Sequence, residues 1–359
     1  MWLYMLSGVG ERRIERLLGV FGGARAVFEA TSRELACVEG LGNNTIRNII
    51  KEQNAAALEK HAEWLQKNGA SFITREDIRY PALLRSINNP PYGLFVKGIL
   101  PKDSHPKVAV VGSRRCTEYG KEAAYELSKE FASNGIVVVS GMASGIDSQA
   151  HRGALQRGST IGVLGCGVDI VYPAENHRLA SNICENGCII STYTPGASPQ
   201  PAYFPARNRI ISGLCQAIVV VEAAKKSGTI ITVGHALDQG REVFALPGSV
   251  RSKYSEGTNL LIKEGAAILT EADDVLNYLG INLKGRGATP NIDARPEESM
   301  PALGEESSIL AYLNEAHIAD LENILNKTGL EASCVNQALT MLELKGRIRK
   351  LPGLRFTIC

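Results

Sequence analysis

The apolar run Val108–Val111 passes directly into Gly112-Ser113-Arg114-Arg115. A strand ending this way makes a corner that can receive a phosphate. Glycine lets the backbone approach, serine donates a hydrogen bond, and arginine adds bidentate charge-assisted contacts. The spacing is not the G-x-G-x-x-G of a dinucleotide fold, and no acidic residue is placed to hold a ribose, which argues against an ordinary NAD enzyme. A second turn, Ser140-Gly141-Met142-Ala143-Ser144-Gly145-Ile146-Asp147, closes the next apolar run and opens a helix. Helix starts leave N–H groups without intrahelical partners, so Gly141, Ser144 and Gly145 are candidate anion contacts. Asp147 reads as an N-terminal helix charge rather than a catalytic carboxylate. His151, four residues on with no third partner in sight, reads as a hydrogen-bonded structural histidine.

Two more strand-end turns extend the row. Gly165–Asn176 is followed by His177 and Arg178, and Ala223-Ala224-Lys225-Lys226-Ser227-Gly228-Thr229 sets lysines ahead of a helix start. Between them Phe204-Pro205-Ala206-Arg207-Asn208-Arg209 offers a ring that can stack on a base, two arginines and a polar fork. Aromatic stacking beside cations is how proteins hold single strands without reading sequence. Arg207 and Arg209 lie two apart and cannot share a helix face, so one of them is expected to bind inside the protein. Four anion seats in a row suit consecutive phosphates better than one mononucleotide.

The elements that must carry these turns follow from the apolar pattern. Short β-branched runs recur at Val108–Val111, Ile136–Val139, Thr160–Leu164, Cys188–Ser191, Ala217–Val221, Glu242–Ala245 and Ala267–Leu269. Helical segments such as Lys121–Asn134 and Ser148–Gly158 lie between them. This alternation predicts an α/β fold, an extended Rossmann-like parallel sheet with right-handed crossovers, spanning residues 75–281. Such sheets bind ligands at the carboxyl ends of their strands.

Residues 1–74 are expected to form a helical domain. Leu6-Ser7-Gly8-Val9-Gly10 and Val38-Glu39-Gly40-Leu41-Gly42 each precede helix-forming sequence, the signature of a helix-hairpin-helix or SAM-like unit. The helix expected ahead of the first block is very short. Residues 282–306, with Pro290, Pro296 and Pro301, read as a tether. In 307–359 the helical patterns Ser308–Leu313, Ala319–Lys327 and Ala332–Leu344 precede a basic hairpin over Lys345–Ile358, which predicts a winged helix. The last of those helices has no Arg or Lys, so a protein-contact or accessory role is favoured over base reading.

The 359 residues carry a net charge of only +2, so any phosphate-binding surface must be local. Eight cysteines without a C-x-x-C pair predict free thiols in a reducing compartment and no zinc site. The start has no secretory pattern, and no apolar stretch is long enough to span a membrane, so a cytoplasmic protein is expected. No metal or cofactor is expected.

In this order the blocks resemble the DNA-processing protein A family (DprA, also called Smf). The match includes Gly112-Ser113-Arg114, Ser140–Asp147, Gly165–Asn176, Phe204–Leu214, Val221-Glu222-Ala223 with Ser227-Gly228, Val243–Gly248 and Gly257–Ile262. It covers about Tyr80–Leu279 densely. The resemblance implies a single-stranded DNA-binding protein of natural transformation that protects incoming DNA and loads the RecA recombinase. It also implies a homodimer formed through the Rossmann-like domain. The family's basic pocket carries over to Arg114, Arg207 and Arg209, and less closely to Lys225. One departure is Ser191-Thr192-Tyr193-Thr194-Pro195-Gly196, where the family often has Ser-Glu ahead of Pro-Gly. Two alternatives compete. A related Rossmann-like family hydrolyses nucleotides with a glutamate after Gly-Thr, but that place is Thr232 here, so no enzyme is expected. The other is a winged-helix regulator of duplex DNA.

Overall fold

Strands buried on both faces need near-continuous runs of branched apolar residues, and such runs supply the middle of this molecule. The computed structural model describes residues 1–6 and 8–281. Of the C-terminal part it describes 308–310, 312–313, 318–330, 332–344, 348–351 and 355–358. The tether assigned to 282–306 lies outside the described residues. The chain divides into two units, Met1–Lys284 and Gly285–Cys359.

The first unit begins with α1 (Trp2–Met5), α2 (Glu11–Phe21), α3 (Ala24–Glu29), α4 (Ser32–Ala36), α5 (Asn43–Lys51) and α6 (Ala55–Lys67). Both glycine blocks form turns ahead of helices, with Gly10 and Gly42 as the N-caps of α2 and α5. Their arginines hold the two turns together. Arg13 donates to the carbonyls of Gly8 and Gly40, and Arg16 to that of Glu39. Ile14, Leu17, Val27, Leu35 and Ile49 form the core beneath.

The sheet region follows as β1 (Ala70–Thr74), α7 (Ala82–Arg85), β2 (Gly93–Gly98), β3 (Lys107–Val111), α8 (Glu118–Ser133), β4 (Val137–Ser140) and α9 (Ile146–Ala154). It continues through β5 (Thr160–Leu164), α10 (His177–Asn186), β6 (Cys188–Ser191), α11 (Tyr203–Gly213), β7 (Ala217–Val220) and α12 (Gly228–Asp238). The last elements are β8 (Glu242–Ala245), α13 (Glu256–Lys263), β9 (Ala267–Ile268) and α14 (Ala272–Tyr278). The nine strands lie in the order β1-β2-β6-β5-β4-β3-β7-β8-β9. From β6 to β9 all neighbours are parallel. Val108 and Val110 face α8, α9 and α14, whereas Ala109 and Val111 face α11, α12 and α13. The strand order reverses at β3, so the crevice at the carboxyl ends of β3 and β7 is the topological switch point, where such sheets take ligands.

β1 and β2 correct the sequence reading, which had no strand before Val108. They extend the sheet antiparallel beyond β6. β1 is mostly half-buried and β2 follows Pro90-Pro91, so neither shows the continuous apolar run of the inner strands. Phe72 of β1 packs on Phe95 of β2 and on Tyr4 of α1, at 4.7 and 5.6 Å between ring centroids.

His151 on α9 is fully buried, and its Nδ1 lies 2.7 Å from the Thr160 hydroxyl. Thr160 donates to the Val138 carbonyl, so Nδ1–H must be the donor to Thr160. Burial and then the Arg207 charge push the His151 pKa down to about 3 from its ordinary 6.5. Below pH 6.5 the unfolded chain takes up a proton that the native state refuses. Stability therefore begins to fall as pH drops through the unfolded value of 6.5, and between there and pH 3 it falls by about 1.4 kcal/mol per pH unit. Denaturant titrations at pH 7, 6, 5 and 4 should show this slope in the wild type and lose it in His151→Gln. Equal slopes would refute it.

In the second unit, β10 (Ile318–Asp320), α15 (Leu321–Thr328), α16 (Ala332–Leu344), β11 (Ile348–Leu351) and β12 (Arg355–Ile358) form a three-stranded sheet with helices, ordered β10-β12-β11. Ile309, Leu313, Ile324, Val335, Leu339 and Phe356 are its core. The helix expected to start at Ala319 starts at Leu321 instead. Asp320 closes β10 and caps the helix by accepting from Asn323 N–H at 2.8 Å. No helix among the described residues is long and apolar enough to cross a membrane.

Candidate nucleic-acid interface

An open cavity of about 580 Å³ occupies the switch point. Its walls are Gly112, Ser113 and Arg114 after β3, Ala143 and Asp147 after β4, Phe204, Arg207 and Asn208 on α11, and Ser227–Thr229 at the start of α12. The corner after β3 is clamped by one residue of the neighbouring strand end. The Glu222 carbonyl accepts from Ser113 N–H at 2.8 Å. Its buried carboxylate accepts from Thr117 N–H at 2.9 Å and from the Thr117 hydroxyl at 2.5 Å. The loop between is pinned at both ends, and the exposed Arg114 projects from it over the Phe204 ring, 5.3 Å from its centroid. Tyr172 lies on Phe204 at 5.6 Å and is 44% exposed, so the cavity has an aromatic flank with a cation above it.

The start of α12 is the second open feature. Ser227 is its N-cap but makes no cap bond, and its buried hydroxyl has no partner among the described residues. The first N–H groups of a helix lack intrahelical acceptors, so an uncapped start facing a cavity favours an anion. Lys225 and Lys226 are exposed immediately before it.

Other parts of the expected site are engaged internally. The turn after β4 is not a vacant anion seat, because Asp147 accepts from Gly141 N–H at 3.1 Å and Ala143 N–H at 3.3 Å. The chain's own carboxylate fills it. Gly141 and Gly145 are there for close packing: a Cβ on Gly141 would lie 2.7 Å from the Arg207 guanidinium, and one on Gly145 2.6 Å from the carbonyls of Ser113 and Arg114. Gly145 also has φ +82°, which disfavours side chains. The Ser144 hydroxyl donates to Glu175 at 2.6 Å. The block after β5 closes on itself, with Gly167 N–H bonded to the Ala197 carbonyl and Asp169 accepting from Gly196 N–H.

The two arginines of α11 part company, as their spacing predicts. Arg207 is 5% exposed, and its guanidinium donates to the carbonyls of Gly141 and Val163 and to Asn208 Oδ1. It lines the floor of the cavity with its guanidinium turned inward to those carbonyls. Burial raises the Asp147 pKa, while Arg207 and the N–H groups of Ala143 and Gly141 oppose the rise. Burial likewise lowers that of Arg207, which Asp147 counters. Arg209 points to the other side of α11, donating to the Asn89 carbonyl at 2.6 Å and pairing with Glu11 at 3.4 Å. Asn208 lines the cavity, with its amide donating to the Gly228 carbonyl at 3.4 Å. Arg115 is exposed on the corner, its carbonyl accepting from the Ser113 hydroxyl at 2.5 Å. Arg178 is exposed on α10 and does not line the cavity. Sequence reasoning had not singled out Tyr172 or the Glu222 clamp. An aromatic at a strand-end turn was the available signal for the first; the second lay in the Val221-Glu222-Ala223 block, which showed its place but not its role.

A doubly wound sheet with a cavity at its switch point, flanked by a cation, aromatic rings and an uncapped helix start, places this unit in the Rossmann-like class. The family model for DNA recombination-mediator protein A matches residues 71–280, and that for the DprA winged helix domain matches 293–353. The chain belongs to this DprA/Smf family. It is 33% identical to Protein Smf of Synechocystis sp. over 98% of this chain and 96% of that one. It is 46% identical to DNA processing protein DprA of Streptococcus pneumoniae over 57% of this chain and 73% of that one. The X-ray structure of the S. pneumoniae protein superposes with a TM-score of 0.67 at 37% identity, over 77% of this chain and 95% of that one. The Helicobacter pylori DNA processing protein A, whose structure is described for its single-stranded DNA binding mode, gives 0.52 at 33% identity over 58% of this chain and 95% of that one.

Proposed function

We propose that this chain binds unpaired DNA along the switch-point crevice and does no covalent chemistry on it. The observation that carries the reading is the Arg114–Phe204–Tyr172 cluster beside the uncapped start of α12. It offers a base a stacking plane and a phosphate two partners within one cavity. The carboxylates at hand are engaged in structure, Asp147 on N–H groups and Glu222 on Thr117, which supports binding over hydrolysis. Family membership supports the finer role: a cytoplasmic protein of natural transformation that protects incoming strands, passes them to RecA and dimerises through its sheet-bearing unit.

Anisotropy titrations of fluorescein-labelled oligothymidylate against a duplex of equal length, over a salt series, test this. Arg114, Arg115, Lys225 and Lys226 would neutralise about four phosphates, so log affinity should fall with log salt at a slope near −3. The duplex should bind more weakly. Absence of oligothymidylate binding at low ionic strength, or a preference for duplex, would overturn the reading.

A further inference from the structure

We propose that the bound strand crosses the start of α11 and continues into a second groove, where a base stacks on the Tyr193–Tyr203 pair. This rests on the reading of the switch-point crevice as a strand-binding site. The groove has a volume of about 660 Å³ and lies between the first glycine turn, the loop after β6 and the far side of α11. Helix periodicity makes α11 a ridge between two depressions. Tyr203, Ala206 and Arg209, spaced by three, face the groove. Phe204, Arg207, Asn208 and Ile211 face the crevice. Consecutive residues therefore put an aromatic ring on each flank.

The far flank is a ready platform. Tyr193 and Tyr203 stack with ring centroids 4.0 Å apart and planes 21° apart, and the Tyr193 hydroxyl donates to the Tyr203 carbonyl at 3.4 Å. Both rings are half-buried, so little rotamer freedom remains for a ligand to remove. Between the flanks, α11 starts without a side-chain cap. A phosphate passing from one side to the other would meet the positive end of that helix, where Tyr203 N–H is already taken by the Gln200 carbonyl and Pro205 has none. The groove holds two cations and one anion, and all three are engaged. Arg13 donates to Gly8 and Gly40, Arg209 to Asn89, and Glu11 accepts from Tyr4 and pairs with Arg209. Its contribution is stacking more than charge, and stacking tolerates any base.

Affinity should be measured for oligothymidylates of increasing length with wild type, Tyr193→Leu and Tyr193→Phe. For Tyr193→Leu the expected result is a roughly tenfold loss on long oligomers, an unchanged affinity for the shortest one that binds, and an unchanged salt slope. Tyr193→Phe should restore the long-oligomer affinity. A Tyr193→Leu profile identical to wild type, or a loss equal at every length, would overturn the proposal. Cross-linking of 5-iodouracil oligomers to the wild-type protein gives a readout that no folding defect can blur. Adducts on Tyr193 or Tyr203 as well as Phe204 support the second groove, and adducts confined to the crevice refute it. A wild type that binds no length at all sinks the crevice reading itself.

Discussion

Arg114→Ala should weaken oligothymidylate binding by about 1–3 kcal/mol, roughly 5- to 150-fold, and do so for every base composition alike. The side chain is exposed and rests on Phe204, while the loop that carries it is held by Glu222 through backbone and Thr117 contacts that the substitution leaves alone. Thermal stability should therefore stay within about 0.5 kcal/mol of wild type. One fewer neutralised phosphate reduces the salt slope by about 0.7. Arg114→Lys keeps the charge and loses the planar fork, so it should fall between the two. Anisotropy titrations measure all of this, and an unchanged affinity for Arg114→Ala would remove Arg114 from the interface.

The second large effect concerns Arg207, and it is on stability. Its guanidinium is enclosed, bonded to the Gly141 and Val163 carbonyls, and is the cation nearest in effect to the buried Asp147. Arg207→Leu leaves a carboxylate without its compensating charge and two carbonyls without their donor. Each buried carbonyl left without its donor costs about 1–3 kcal/mol. Adding Asp147→Asn removes the stranded charge, so the double variant should regain part of the loss. Denaturant midpoints compare the three proteins. If Arg207→Leu keeps wild-type stability and loses only DNA affinity, Arg207 is a direct contact and the division of roles drawn for α11 is wrong.

The parallel part of the fold was legible because burial on both faces leaves an unmistakable trace. Thr160–Leu164, Cys188–Ser191 and Glu242–Ala245 are strands with the bounds their sequence predicts. β1 left no such trace because it is mostly half-buried, and β2 because it sits between turns rich in proline and glycine, and Ile318–Asp320 pairs only because β12 lies beside it. In the site, chain order alone brought Arg114, Phe204 and Ser227 to strand ends, and the sheet gathers them around one cavity. Helix phase separated Arg207 from Arg209 but could not say which was buried, since that depends on β4 and β5 beneath α11. Nor could local sequence show that Asp147 folds back onto the N–H groups of its own turn. A glycine- and serine-rich helix start looks the same whether its anion is a ligand or a side chain.

Backbone hydrogen exchange, with and without saturating oligothymidylate, tests the central claim most directly. Protection should appear at the corner 112–117, at the α12 start 227–232 and along the first turns of α11. Protection confined to the winged-helix residues 318–358, with the switch-point rim unchanged, would contradict it.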